Sequence, residues 1–259
     1  MKKALSLIAI AALIFAGCKK EYLTNEVTNI TAPKENDIIG FITLFDEFGT
    51  RLTDNAGMKI TVENSTPVIE ATTDANGKFI LPKVKSGTYN LAYTKAGFGV
   101  FKRLSVTHAG GDLPTSTGNN NLWQTAQTVI TNVTAIAGIG DTVIISGKSS
   151  PVQPAGSSTS FQRRFRMFFA KAPTAVTYLN YDATFNQILI PAPASGSTGD
   201  WSIKLRTANF SPLKAGDNIN IIAYGISPLE NAYTDIQTNK TIYSGVNNTP
   251  SNVVNILLK

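Results

Sequence analysis

Cys18 is the single thiol of the chain and His108 its single imidazole, and ninety residues separate them. A cysteine nucleophile needs a nearby base to take its proton, and no histidine neighbours Cys18 in the sequence. The spacings that mark a zinc protease, a serine-hydrolase elbow or a phosphate-binding loop do not occur either. Asp74, Asn76 and Gly77 begin like a calcium loop, but the twelfth position counted from Asp74 is Lys85, which repels a cation where the loop needs a glutamate. Asn76-Gly77 instead supplies positive φ for a tight hairpin between "EATTD" and "KFIL". Seventeen carboxylates leave a pair from distant positions open, since the sequence does not show spacing through the fold, but without any of these motifs the expectation is a protein that is not an enzyme, with no catalytic residue, no metal and no cofactor.

Cys18 has another use. Lys2 and Lys3 precede an apolar run over residues 4–16 that ends in small residues, and thirteen apolar residues are too few for a bilayer-spanning helix, which needs about 20. The run fits the hydrophobic part of an export signal. Ala16, Gly17 and Cys18 then resemble the lipobox of bacterial lipoproteins, with Phe15 where leucine is usual. The resemblance implies removal of residues 1–17 and a diacylglycerol thioether on Cys18. Several acyl chains on one residue make a stable anchor, since each buried methylene contributes about 0.8 kcal/mol. Lys19, where an inner-membrane retention signal places aspartate, implies the outer membrane, and "CKKE" looks like the surface-export signal of Bacteroidota lipoproteins. The partner expected here is thus a membrane, met through lipid on Cys18.

The chain has 23 basic and 17 acidic residues, a net +6, and without Lys2 and Lys3 the excess is about +4. That is too diffuse for a nucleic-acid interface, and none is expected. Arg163, Arg164 and Arg166 form the densest basic spot. They alternate with Phe165, Met167 and Phe169, which reads as a strand with one solvated face. Hydrophobic residues at 42% and charged residues at 15% provide for packed cores, and without a second thiol stability must come from apolar burial.

The elements that would carry a site are all of one kind. Residues 18–37 are polar and aperiodic and read as a flexible tether. Residues 38–108 break into short alternating runs, such as "KITVE" and "YNLAY", at about ten-residue spacing, which argues for a β-sandwich. The blocks "GFITLFDEFGTRL" and "ATTDANGKFILPKVKSGTYNLAYTKAGF" resemble the carboxypeptidase regulatory-like domain. That resemblance implies a transthyretin-type sandwich of seven strands with no catalytic residues of its own. Residues 109–121, rich in Gly, Ser, Thr and Asn, read as a linker, opened by a solvent-exposed His108. Residues 122–259 again alternate, in eight runs that include "VTYLNY", and fit an immunoglobulin- or fibronectin-like sandwich with Trp201 in its core.

The expected fold is therefore all-β, two sandwiches behind a lipoprotein signal. Long polar loops at 149–160, 191–199 and 243–252 are of a kind that can bind partners, and plain surface linkers have the same composition. Two functions stay open. In one, the sandwiches are an adaptor that docks on another envelope protein through edge strands. In the other, exposed aromatics such as Trp123, Tyr178 and Tyr181 stack on the sugar rings of a glycan, as in a polysaccharide-uptake system.

Overall fold

The computed structural model describes residues 34–150, 162–191, 199–227, 229 and 231–259, with side chains described except at 162 and 186–191. The signal at 1–17, Cys18 and the tether as far as residue 33 lie outside the described residues, as do most of the loops expected at 149–160 and 191–199. The fold is all-β, and among the described residues the one helical element is a single 3-10 turn, Thr207–Phe210.

Seven strands build the first sandwich. They are β1 (Asn36–Phe45), β2 (Lys59–Val62), β3 (Glu70–Thr72), β4 (Lys78–Val84), β5 (Gly87–Thr94), β6 (Val100–His108) and β7 (Thr115–Trp123). One sheet runs β4-β1-β7 and the other β3-β2-β5-β6. Alternation puts Ile38, Ile42 and Leu44 of β1 inward, against Phe79 and Leu81 of β4 and against Ile60, Leu91 and Tyr93 of the facing sheet.

Three expectations for this region change. Asn36 and Asp37, expected in the tether, open β1. Residues 115–121, expected in the linker, belong to β7, which pairs in parallel with β1 from Ile38↔Thr115 to Phe45↔Trp123. As an edge strand β7 buries only Thr117 and Leu122 and so lacks the apolar period that would reveal it. His108 is not a solvent-exposed loop residue: it ends β6 at 1% exposure, with Nε2 donating to the Val84 carbonyl (2.9 Å) and Nδ1 taking the Thr115 hydroxyl (2.7 Å). The Asp74–Gly77 turn forms, with the Asp74 carboxylate accepting from the N–H groups of Asn76 and Lys78 at 2.9 Å each. It carries the chain from one sheet to the other, however, because β3 pairs with β2 and β4 with β1.

The second sandwich has a sheet β11-β10-β13-β16 and a sheet β12-β9-β8, from β8 (Val129–Ala137), β9 (Thr142–Ser150), β10 (Gln162–Lys171), β11 (Ala183–Pro191), β12 (Asp200–Arg206), β13 (Asn218–Ile226) and β16 (Val254–Leu257). Trp201 sits in the core on Phe165, ring centres 4.4 Å apart, while Ser202, Lys204 and Arg206 face outward. "VTYLNY" is a turn and not a strand. The Thr177 hydroxyl takes the N–H groups of Leu179 and Asn180, and the Asn180 amide donates to the Ala175 carbonyl.

β10 departs furthest from expectation. Phe165, Met167 and Phe169 face the sandwich core as read, but the opposite face is covered too. There Phe168 and Ala170 pack with Tyr181, Tyr224, Ile226 and Val246 in a second, smaller core. A hairpin of β14 (Ala232–Thr234) and β15 (Thr241–Tyr243) lies over it. Arg166 is 4% exposed with its guanidinium 3.7 Å from the centre of the Tyr243 ring, and Arg163 is equally buried, so neither lies on a solvated face.

The seams between sheets are closed. Arg103 of β6 reaches across to the Thr117 carbonyl and to Asn120 of β7. Asn252 copies a strand pairing to β8, accepting from the Val133 N–H and donating to the Val133 carbonyl at 2.9 Å each. The 3-10 turn sits at β11 and β12 with Phe210 fully buried, and edge strand β4 carries Pro82, which has no N–H to offer.

Candidate functional site

The two sandwiches meet without a free linker. After Trp123 each residue of the connection is tied to one body or the other. Gln124 N–H donates to the Phe45 carbonyl (3.0 Å), Thr125 N–H to Gly97 (2.7 Å) and Ala126 N–H to Gly245 (3.2 Å), while Asn247 donates to the Ala126 carbonyl (2.8 Å). Gln127 N–H donates to the Glu47 carboxylate (2.8 Å), and Ser227 donates its hydroxyl to the Glu47 carbonyl (2.9 Å). Satisfying these four N–H groups and the Ala126 carbonyl fixes the chain path.

Behind the connection Glu47, 5% exposed, faces Arg163 at 3.9 Å. Burial pushes the Glu47 carboxyl up from its ordinary range against the pull of the Gln127 N–H and Arg163, and burial also lowers Arg163. Arg163 lies over the Phe48 ring as well, 5.8 Å from its centre. On the other strand of contact Gly99 adopts φ +69°, and a Cβ there would stand 2.0 Å from the Ser244 carbonyl oxygen, so the two bodies touch backbone to backbone.

Beside this contact a cleft of about 700 Å³ opens. Lys59, Lys95 and Val100 of the first sandwich form one wall, and Tyr178, Leu179 and Tyr233 form the other. The aromatic rings are positioned from behind. Tyr178 stands edge-on to Tyr224 at 5.5 Å, and Tyr233 edge-on to Phe101 at 6.3 Å, the latter a contact across the sandwich boundary. Both lysines are engaged within the protein: Lys59 with Glu70 at 2.6 Å, Lys95 with the Ala56 carbonyl and over the Phe98 ring. Thr94, Ser244 and Asn248 complete a lining of hydroxyls and an amide around apolar and aromatic surface. The volume falls in the range of small-ligand clefts. Ring faces, hydroxyls and an amide beside these lysines suit a polar ligand with apolar faces.

Of the three aromatics picked from the sequence, Tyr178 alone lines this cleft. Trp123 is half-buried and stacks on Phe45, ring centres 5.3 Å apart, with its indole N–H buried away from any acceptor. The Asn231 amide, oriented to suit both neighbours, donates to the Asn121 carbonyl and accepts from the backbone N–H of Trp123, so Trp123 is a joint between bodies instead of an open platform. Tyr181 is 8% exposed, donates its hydroxyl to the Thr241 carbonyl at 2.6 Å and packs on Phe168, with burial pushing its phenol up to about 12. Tyr233 was not singled out from the sequence. It stands in the short stretch "NAYTD", where nothing tells a turn residue from a platform. Among the described residues no group of His, Cys, Asp and Glu is placed to hold a metal ion.

No family model matches the chain, and no curated protein sequence matches it. Among solved structures, a DUF3823 family protein from Bacteroides uniformis aligns over 87% of this chain and 100% of its own length at 12% identity and a TM-score of 0.31. One from Bacteroides ovatus aligns over the same shares at 10% identity and 0.30. A type II cohesin–X-dockerin complex from Acetivibrio cellulolyticus aligns over 35% of this chain at 23% identity and 0.29, and the chain spans only 58% of the length of that match. Overlaps this slight carry no argument about what the chain binds.

Proposed function

We propose that the chain is a non-catalytic binding module of the cell envelope, held at the outer membrane by lipid on Cys18, whose junction cleft takes a segment of neutral glycan. The observation that carries this reading is the pairing of Tyr178 and Tyr233 on one wall of the cleft, facing Lys59, which is paired with Glu70, and Lys95, which is turned to the Ala56 carbonyl. Sugar rings present apolar C–H faces and rows of hydroxyls, which tyrosine faces and neutral amides or hydroxyls complement. The adaptor alternative, docking through strand edges, is less favoured, because the seams described above are closed by Arg103, Asn252, Pro82 and Phe210.

Native gels cast with a panel of neutral polysaccharides test the ligand. At least one polysaccharide should retard the protein, and Tyr178→Ala with Tyr233→Ala should abolish that retardation. The anchor has its own test. Cys18→Ala should move the protein from the membrane fraction to the soluble fraction of cells, and continued membrane retention of that variant would refute the lipid.

A further inference from the structure

The two ends of the first sandwich differ. Phe45 and Gly97 lie at the end that meets the second sandwich. The opposite end gathers the start of β1, the loop between β2 and β3, the turn between β4 and β5, and the loop between β6 and β7. Asn36 pairs there with Val84, Gly87 with His108, and Lys34 bridges Asp112 at 3.0 Å. The chain toward Cys18 departs from this end. Two large apolar side chains stand out on its loops, Val68 at 66% exposure and Leu113 at 81%. Between the loops lies a groove of about 590 Å³ lined by Pro67, Pro82 and Tyr89, with Lys83 and Lys85 and the carboxylates of Glu35 and Glu70 beside them.

We propose that this end of the first sandwich is a lipid-contacting face, with Val68 and Leu113 entering the headgroup layer and Lys83 and Lys85 meeting lipid phosphates. The inference rests on the lipid anchor at Cys18. Fifteen residues, 19–33, separate that residue from Lys34 and reach at most about 50 Å when extended. A connector of this length keeps the face at an effective concentration near the bilayer on the order of millimolar, so a surface too weak to bind alone is engaged once tethered. Apolar tips with Lys83 and Lys85 nearby suit such an interface, since Glu70 is paired with Lys59 and Asp112 with Lys34, and burial of a few side chains and attraction to anionic headgroups add. The apolar groove alone does not choose between lipid and a protein partner; the exit of the anchor segment from the same end does.

The test uses the full-length acylated protein in phosphatidylethanolamine and phosphatidylglycerol vesicles, with a fluorophore placed through Leu113→Cys or, at the tip of the second sandwich, through Ile139→Cys. Brominated acyl chains should quench the label at position 113 roughly twofold or more and leave that at 139 unchanged, since only the former reaches the headgroup layer. Lys83→Glu with Lys85→Glu should weaken the quenching. A label at 113 that stays equally bright in brominated and plain vesicles, while the protein remains bound, would overturn the contact and leave the anchor standing. Quenching or shielding that appears only when envelope proteins are added would assign the face to a protein partner and overturn it as well. Loss of the protein from the vesicles altogether would remove the anchor, and the contact with it.

Discussion

Gly99→Ala should destabilise the protein by at least about 1–2 kcal/mol and weaken ligand binding tenfold or more. The first part follows from φ +69° alone, because an L-residue in the left-handed region costs about 1–2 kcal/mol. The second follows from position. A methyl group 2.0 Å from the Ser244 carbonyl must push that carbonyl away, and Ser244 is held in place through its N–H and hydroxyl, both donating to the Asn231 carbonyl at 3.0 Å. The wall of the cleft that carries Ser244 then moves relative to the wall that carries Val100. Gly216→Ala is the control: its φ is +87° but nothing lies within 4 Å of the added carbon, so it should show the backbone cost and leave binding intact. Thermal unfolding and gel retardation of the two variants read both effects, a loss of 1 kcal/mol lowering Tm by roughly 2–4 °C in a protein of this size. Equal binding by the two variants would mean that the contact at Gly99 does not set the cleft.

Phe168→Ala should cost about 3–5 kcal/mol, the range for deleting a fully buried aromatic ring. Phe168 has no solvent exposure, and its ring lies 5.1 Å from Tyr181, 5.6 Å from Tyr224 and 5.9 Å from Tyr243. Of these Tyr243 belongs to the β14–β15 hairpin, so Phe168 ties that hairpin to the back of β10. The loss should therefore be uneven. Hydrogen exchange should accelerate most at Ala232–Thr234 and Thr241–Tyr243, which carry the Tyr233 wall of the cleft, and change little in β1 and β4. A uniform acceleration, or a loss below about 1 kcal/mol in chemical denaturation, would show that the small core is not what holds the hairpin.

How far these features were legible in the sequence depended on which force made them. Strands with one buried face announce themselves, as "DWSIKL" does with Trp201 and Leu205 in and Ser202 and Lys204 out. The Asp74–Gly77 turn was readable because aspartate and glycine have local reasons to be there, but which strands it joined depended on distant pairings. Residues 115–121 of β7 look like linker because they are held by ladder bonds to β1, and the strand's one buried apolar residue, Leu122, follows them. The arginines of β10 look solvated because period-two patterning assumes that one sheet face meets water, whereas Arg166 lies under Tyr243 of a hairpin some sixty residues downstream and Arg163 is buried against Glu47. The cleft was legible only through Tyr178. Its other parts, Gly99, Val100 and Tyr233, matter for where two bodies meet, and no local pattern records a meeting of that kind. Trp123 misled for the same reason: an aromatic after a run of asparagines looks exposed until Phe45 and Asn231 are placed around it.

The central claim is that one cleft, built by both sandwiches, seats the ligand through Tyr178 and Tyr233. Gel retardation in neutral polysaccharides, run on wild type beside the Tyr178→Ala, Tyr233→Ala double variant and beside Trp123→Ala, tests it most directly. The account predicts retardation of the wild type by at least one polysaccharide and none of the double variant while its thermal unfolding stays cooperative. It is contradicted if the double variant migrates as slowly as wild type, or if no polysaccharide in the panel slows the wild-type protein.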